Sequence, residues 1–142
     1  MVNKLTIAIA KAIKKEFQEV ELFTECVEQG FESPCFFVFC ESQREYDKLD
    51  VRFLTEHTFI IQYHAKQGNA ECWDVLSKLH RLLEFITLDD GSIVAGTNRN
   101  STIREGVLFF FVDYDFYMKK EKQPDEYMKE LQVHEETRKD RK

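Results

Sequence analysis

The chain has 142 residues, of which 43% are apolar and 13% aromatic, and its net charge is −6. This length predicts one domain, since domains of ~100–200 residues are usual, and the apolar content excludes wholesale disorder. Twelve basic and nineteen acidic residues precede Lys119, which argues against a broad basic face for nucleic acid. No apolar run approaches the ~20 residues that span a bilayer, and the start lacks a secretory signal. We therefore expect a soluble, cytoplasmic protein without nucleic-acid recognition or membrane contact.

The first predicted element is a helix over residues 2–17, because apolar side chains recur there at spacings of three and four. The stripe consists of Val2, Leu5, Ile9, Ala12 or Ile13, and Phe17. Lysines occupy much of the remaining surface, so a helix lying on a membrane is an alternative. The modest apolar side chains and the lack of tryptophan favour a helix that packs on a sheet.

Three strands are predicted next. Residues 20–26 alternate loosely and suit a short strand, and the glycine and proline of residues 28–34 indicate a loop. The apolar run 35–40 predicts a strand buried on both faces, and the polar stretch 41–50 is expected to turn the chain back. Residues 51–64 alternate between apolar and polar, which predicts an antiparallel strand with one packed face.

A second helix is expected after Gly68, with Asn69 as its N-cap. Its predicted apolar stripe is Trp73, Leu76, Leu79, Leu83 and Ile86. A turn at residues 89–91 ends this helix, and residues 92–104 are ambiguous. Glu105-Gly106 signals a hairpin that leads into the most apolar predicted strand, over residues 107–118.

The predicted order is α-β-β-β-α-β-β, which indicates an α+β fold with a mainly antiparallel sheet and two packing helices. Residues 1–120 are expected to form a single domain. Residues 121–142 carry mixed charge and few apolar anchors, so we expect a mobile charged tail, or one that is helical only against a partner.

No catalytic or cofactor motif is present in the sequence, so the expected cofactors are none. The four cysteines contain no CxxC pair, and His57 and His64 are predicted on opposite faces of one strand. Asp113 and Asp115 share a face of the last strand and can be interpreted as a paired carboxylate for a cation or for acid–base chemistry. The simpler interpretation is that this face meets solvent or another subunit.

Thirteen phenylalanines are more than a two-helix cover readily buries. A phenylalanine-rich core explains them, and so does a surface that packs on another subunit, where aromatic side chains are enriched. The loop 28–34 places Phe31 between Gly30 and Pro34 and is our candidate for one side of such a contact. The alternative is that Phe31 folds back onto the sheet.

Three stretches, by their order and spacing, carry a resemblance to a known family. They are the opening amphipathic helix, the segment Thr24-Glu25-Cys26-Val27-Glu28-Gln29-Gly30-Phe31 through Pro34-Cys35-Phe36-Phe37, and the hairpin Gly96-Thr97-Asn98 through Gly106-Val107-Leu108-Phe109-Phe110-Phe111-Val112-Asp113-Tyr114. Over about residues 1–120 the chain resembles tail terminator proteins of contractile-tailed phages and defective prophages of Gram-positive bacteria.

The resemblance implies a structural protein that is not an enzyme. Such a subunit forms a ring, generally a hexamer, which caps the completed tail tube, stops its polymerisation and allows the head to join. The implied partners are further copies of the chain, the tail tube protein and a head-completion or neck protein. The implied location is the host cytoplasm during assembly and then the virion tail.

Alternatives to this interpretation are a neck or head–tail joining protein, a small metal-dependent hydrolase using Asp113 and Asp115, and a monomeric ligand-binding module. The predicted contact residues are Glu28, Gln29, Gly30, Phe31, Pro34, Asp113 and Asp115.

Overall fold

The computed structural model describes residues 1–25, 30–47 and 52–119, which form two helices and one six-stranded sheet. In chain order the elements are α1 (Val2–Glu16), β1 (Glu21–Phe23), β2 (Cys35–Asp47), β3 (Arg52–His64), α2 (Asn69–Leu82), β4 (Phe85–Thr87), β5 (Ile93–Arg104) and β6 (Val107–Lys119). The predicted α+β class is confirmed. The predicted tail over residues 121–142 lies outside the described residues.

The strands lie side by side in the order β1-β2-β3-β6-β5-β4. Only the β1–β2 pair is parallel among these strands, and the other pairs are antiparallel. The predicted element order omitted β4, which is three residues long. A strand this short has no periodicity of its own, and it exists because it pairs with the start of β5.

Helix α1 packs one side on the sheet, as its stripe predicts. Leu5, Ile9 and Ile13 are fully buried, and Phe17, just past the helix, packs its ring 5.1 Å from that of Phe36. Each such burial of a Leu or Ile side chain contributes ~1.5–3 kcal/mol. The helix is therefore held by its apolar side, while its lysines stay exposed.

Both helices pack on the same face of the sheet, because alternate residues of each central strand join one core. From the three central strands β2, β3 and β6 this core takes Phe36, Val38, Phe59, Ile61, Tyr63, Leu108, Phe110, Val112 and Tyr114. The predicted packed face of residues 51–64 is confirmed for β3, where even Thr55 and His57 are buried.

Strand β2 is longer than predicted. The run Cys35–Val38 is buried on both faces, as expected, but the strand continues to Asp47 instead of turning at Glu41. Residues 41–46 are all exposed, so no apolar alternation marks them. They remain a strand because their backbone pairs with β3 as far as Asp47 and Phe53.

The predicted boundaries of α2 were wrong at both ends. Gly68, not Asn69, is the N-cap, and the helix ends at Leu82. Trp73 is 59% exposed, whereas Cys72 and Val75 are buried in its place. Ile86 is buried, but from strand β4. Spacings of three and four residues fit the side of α2 that carries Trp73 and also the neighbouring side that carries Cys72 and Val75. The leucines alone therefore do not determine which of these two sides faces the core.

The ambiguous segment 92–104 forms β5, which ends in the predicted hairpin. Glu105 and Gly106 have φ values of 49° and 80° and connect Arg104 directly to its partner Val107. Two residues with positive φ give a turn whose twist suits antiparallel strands. An irregularity between Thr97 and Asn100 interrupts the β5–β6 pairing. It lies in the polar centre of this segment, where the sequence has no apolar alternation that would indicate a strand.

Candidate interaction surface

The face of the sheet opposite the helices, called here the open face, carries the other half of the strand side chains. Neither α1 nor α2 covers it, since the buried side chains of both helices belong to the core on the opposite side. The register aligns the open-face residues of β3 and β6 in pairs: Gln62 with Phe109, Ile60 with Phe111, Thr58 with Asp113, Glu56 with Asp115, and Leu54 with Tyr117.

One end of the open face is aromatic. The ring of Phe37 lies 5.2 Å from that of Phe23, 6.0 Å from that of Phe39 and 5.2 Å from the imidazole of His64. Phe31 meets Phe37 edge-on at 5.3 Å and also contacts His64, with 5.0 Å between ring centres. Phe31 is half-buried, so the loop residue predicted at an exposed turn folds back onto the sheet.

A groove of about 270 Å³ continues the apolar surface between β5 and β6. Phe109 and Phe111 form its floor, and Thr102 and Arg104 line it from β5. Sequence analysis did not single out these two phenylalanines. The alternation of residues 107–118 held the signal, because a helix layer on one face leaves every second side chain on the other.

The opposite end of the open face is acidic and begins with Asp113. One carboxylate oxygen accepts a 2.7 Å hydrogen bond from the Thr58 hydroxyl, and the other accepts a 2.8 Å bond from the Asn98 amide. Asp113 thus ties β6 to both of its neighbouring strands. Its two oxygens serve the fold, which argues against a role for this carboxylate as a general base.

Asp115 differs from Asp113 in its surroundings. Burial, followed by the nearby charges of Glu56 and Asp113, raises the pKa of its carboxyl group. Its Oδ1 atom is buried without a hydrogen-bond partner among the described residues. The Arg44 guanidinium lies 3.7 Å from the Glu56 carboxylate. Asp115 is therefore an acidic group whose charge the fold satisfies poorly.

The histidines do not form a site together. His57 is buried beneath the helix layer, stacks on Phe116 and directs Nδ1 at the carbonyl oxygen of Tyr114, 3.1 Å away. His64 lies on the open face, so the prediction of opposite faces is confirmed. Burial lowers the pKa of both. Within the described ranges, no group of three or more His, Cys, Asp or Glu side chains could hold a metal ion.

The predicted contact residues fall into two sets that the structure keeps apart. Gly30, Phe31 and Pro34 lie at the aromatic end, before β2. Asp113 and Asp115 lie at the acidic end, beside Thr58 and Glu56 of β3. Glu28 and Gln29 lie outside the described residues.

A hydrogen bond between the buried Tyr63 and the half-buried Glu71 fixes the start of α2. The Tyr63 hydroxyl donates to Glu71, which also accepts hydrogen bonds from the backbone amides of Lys66 and Gln67. Burial and then Glu71 raise the pKa of Tyr63. Burial of Glu71 acts to raise its pKa, but these three hydrogen bonds outweigh that effect and lower it. The pair orders the β3–α2 connection.

No helix within the described parts of the chain is long and apolar enough to cross a membrane. No curated protein sequence matches the chain. A family model described as phage tail terminator protein matches residues 4–126. This match covers α1 from Lys4 onward, the whole of α2 and the six described strands. The chain therefore belongs to the phage tail terminator family and is a structural component of a virion tail.

Proposed function

We propose that the protein caps the completed tail tube as a ring, stops tube polymerisation and provides the surface to which the head is joined. The observation that carries the proposal is the family match over residues 4–126, which includes the whole described sheet. The ring is proposed to be a hexamer. Its partners are then other copies of the chain, the tail tube protein and a neck or head-completion protein, and it assembles in the host cytoplasm.

The open face supports a role in contact rather than in catalysis. Its aromatic end and the groove over Phe109 and Phe111 form an apolar surface that neither helix covers. Aromatic side chains are enriched in protein–protein contacts. We propose that this surface, together with Gly30, Phe31 and Pro34, meets the tail tube protein.

The proposal also holds that the protein is not an enzyme. Asp113 accepts hydrogen bonds from Thr58 and Asn98 at both oxygens, and Asp115 has a raised pKa with Glu56 beside it. Two acids in these settings stabilise strand contacts or repel each other. Reproducible hydrolysis of an ester or phosphoester that Asp113→Ala abolishes would contradict this part of the proposal.

Polymerisation of the tail tube protein tests the capping function. Purified tube protein is polymerised with and without this chain, and tube lengths are measured by negative-stain electron microscopy. We expect shorter tubes with a ring at one end when the chain is present. Unchanged tube lengths and bare ends at saturating concentration would overturn the proposal.

A matched pair of variants connects this result to the open face. Phe109→Asp introduces a charge into the floor of the groove, while Arg81→Asp introduces one on the exposed side of α2. We expect the first variant to lose capping and the second to retain it. Circular dichroism of both verifies that they are folded.

A further inference from the structure

The two long strands next to the sheet edges are paired over only part of their length. Strand β1 pairs with Cys35–Phe37. In the part of the chain that the structure describes, residues 38–47 of β2 therefore have backbone pairing on the β3 side alone. Strand β4 pairs with Ile93–Ala95, and the Gly96 amide donates a hydrogen bond to the Glu84 carbonyl. Among the described strands, residue 97 and residues 100–104 of β5 then pair with β6 alone. These two segments, residues 38–47 and residues 97–104, are called the β2 edge and the β5 edge.

An open edge presents a row of unpaired N–H and C=O groups, which is a template for pairing with another strand. The two edges lie at opposite sides of the same sheet, with β3 and β6 between them. Three successive antiparallel pairings separate β2 from β5, so the two strands run in opposite directions. If a neighbouring copy is rotated about an axis roughly along the strands, its β5 edge therefore meets the β2 edge as an antiparallel partner.

The charges of the two edges are complementary. The β2 edge carries Glu41, Glu45 and Asp47 against one arginine, Arg44, whereas the β5 edge carries Arg99 and Arg104 and no acidic residue. Two β2 edges repel each other, and so do two β5 edges, while a β2 edge attracts a β5 edge. This favours the head-to-tail contact of a ring over the self-complementary contact of a two-fold dimer.

One polar group on the β5 edge lacks a partner within the described chain. The Nη1 atom of Arg99 is buried without a hydrogen-bond acceptor. Arg99 lies in the irregularity between Thr97 and Asn100. Burial lowers the pKa of His80 on α2, and the charge of this guanidinium lowers it further and acts in the same direction on the buried Tyr114. The nitrogen therefore lies on the helix side of β5, and the edge contact rests on the strand backbones and the edge charges alone.

We propose that adjacent copies join through antiparallel pairing of the β2 edge of one with the β5 edge of the next. This inference rests on the self-assembly in the proposed function and names the surface that performs it. Closed sheets have a stagger between strands. A stagger of about four residues places Ser42 opposite Thr102, and the whole β5 edge then lies alongside β2.

Disulfide trapping between two proteins that each carry one introduced cysteine on an edge tests the contact. The background carries Cys26→Ser and Cys40→Ser, because Cys35 and Cys72 are buried. One protein carries Ser42→Cys and the other, marked by a tag that changes its mass, carries Thr102→Cys. Residues facing each other across antiparallel strands have Cα atoms ~4.5–5.5 Å apart, within the range of a disulfide. Neutral positions are used so that the edge charges are unchanged.

We expect a disulfide-linked heterodimer when the two proteins are mixed under mild oxidation, and little homodimer from either one alone. A chain that carries both cysteines should give a ladder of multimers. It cannot form the bond internally, because β2 and β5 are three strand spacings, or about 14 Å, apart along the sheet. Asn100→Cys in place of Thr102→Cys samples the next register on the same face.

The outcomes separate this inference from the proposed function. Trapping that is specific to the mixed pair, in solution or on capped tubes, supports it. Rings on tube ends without mixed trapping at either register would overturn the edge contact and leave the capping function standing. Homodimers as abundant as the heterodimer would also overturn it, because they indicate a two-fold contact. No rings and no trapping would overturn both.

Discussion

Gly96 lies against the ring of Tyr114, so closely that a Cβ atom at position 96 would stand 3.1 Å from Cε1 of that ring. The same Cβ would come within 2.8 Å of Val112 Cγ2 and would collide with the backbone oxygen of Leu83. That oxygen accepts the hydrogen bond of the Tyr114 hydroxyl at 2.7 Å. The glycine therefore permits the close contact of β5 with β6 and with Leu83 at the end of α2.

We expect Gly96→Ala to lower the free energy of unfolding by ~1–3 kcal/mol, the usual cost of overpacking a well-packed core. Leu83 contributes a backbone atom, which cannot rotate away as a side chain can. Urea unfolding measures the change. Ala95→Ser is the control, since Ala95 is exposed and surface changes stay within about 0.5 kcal/mol. Equal stability of Gly96→Ala and the parent protein would show that the strands separate easily here.

Sequence patterns predicted the elements whose apolar side chains repeat at a regular spacing. Helix α1 and the packed face of β3 follow from such repeats, and the positive-φ turn at Glu105 and Gly106 follows from turn chemistry. The polar half of β2 and the short strand β4 depend on backbone pairing with distant partners, which side-chain periodicity does not report.

The candidate surface was predicted in part for the same reason. Phe31 and Asp113 drew attention as single residues, and the structure places both on the open face. The groove over Phe109 and Phe111 and the two sheet edges arise only once the strand order is known. A strand order is set by long-range contacts, and one chain's local pattern leaves it open.

The lowered pKa of the buried His57 leads us to expect a loss of stability in mild acid. Burial lowers its pKa from 6.5, although the hydrogen bond with the Tyr114 carbonyl opposes this. The unfolded chain then binds a proton at a pH where the folded chain does not. Stability is complete above the unfolded pKa near 6.5 and falls as the pH drops below it.

Between pH 7 and pH 5 the contribution of His57 to this loss is at most ~2 kcal/mol, since one pKa unit corresponds to ~1.4 kcal/mol. Chemical unfolding at both pH values measures it. We expect the loss to be smaller in His57→Gln than in the parent, and His80→Gln, at a half-buried position, to remove less of it. An unchanged pH dependence in His57→Gln would show that His57 is protonated without cost in the folded protein.

Asp113 and Asp115 are expected to respond oppositely to the same substitution. The raised pKa of Asp115 means that the folded chain holds its proton more tightly than the unfolded chain, so ionisation at neutral pH costs stability. We expect Asp115→Asn to raise the free energy of unfolding at pH 7 by less than about 1 kcal/mol. This gain should vanish below the ordinary pKa of 3.8, where both states are protonated.

Asp113→Asn is the matched control for this prediction. It weakens the bonds from Thr58 and Asn98, and we expect a loss of ~1–2 kcal/mol, in the range for hydrogen bonds to a charged group. Thermal unfolding at pH 7 and at pH 3.5 measures both variants. A stabilising Asp113→Asn, or a destabilising Asp115→Asn, would contradict the assignment of the two environments.

Phe31 is expected to contribute both to the fold and to tail contact. Its ring packs on Phe37 and His64 but stays half-buried. Phe31→Ala should lower the free energy of unfolding by ~1–2 kcal/mol, less than full burial of the ring would give. Glu32→Ala, at the exposed neighbouring position, should change stability by less than about 0.5 kcal/mol.

Phe31→Asp separates the two contributions. We expect this variant to remain folded by circular dichroism and to lose tube capping, because the charge lies on the proposed contact surface. Unfolding of Phe31→Asp at room temperature would assign the side chain to the fold alone. A folded variant that still caps tubes would remove Phe31 from the contact.

The last prediction concerns the charged C-terminal segment, which we propose is dispensable for folding. Residues 123–142 carry mixed charge with few apolar side chains, and the family match includes only the first four of them. Ending the chain after Lys122 should change the free energy of unfolding by less than about 1 kcal/mol, the scale of changes away from packed features. Thermal unfolding followed by circular dichroism measures it, and Leu5→Ala, which should cost ~2–5 kcal/mol at a fully buried site, shows that the assay detects a real loss. A truncated chain that melts many degrees lower would show that the segment docks on the domain. A truncated chain that is equally stable but no longer caps tubes would instead assign the segment to partner binding.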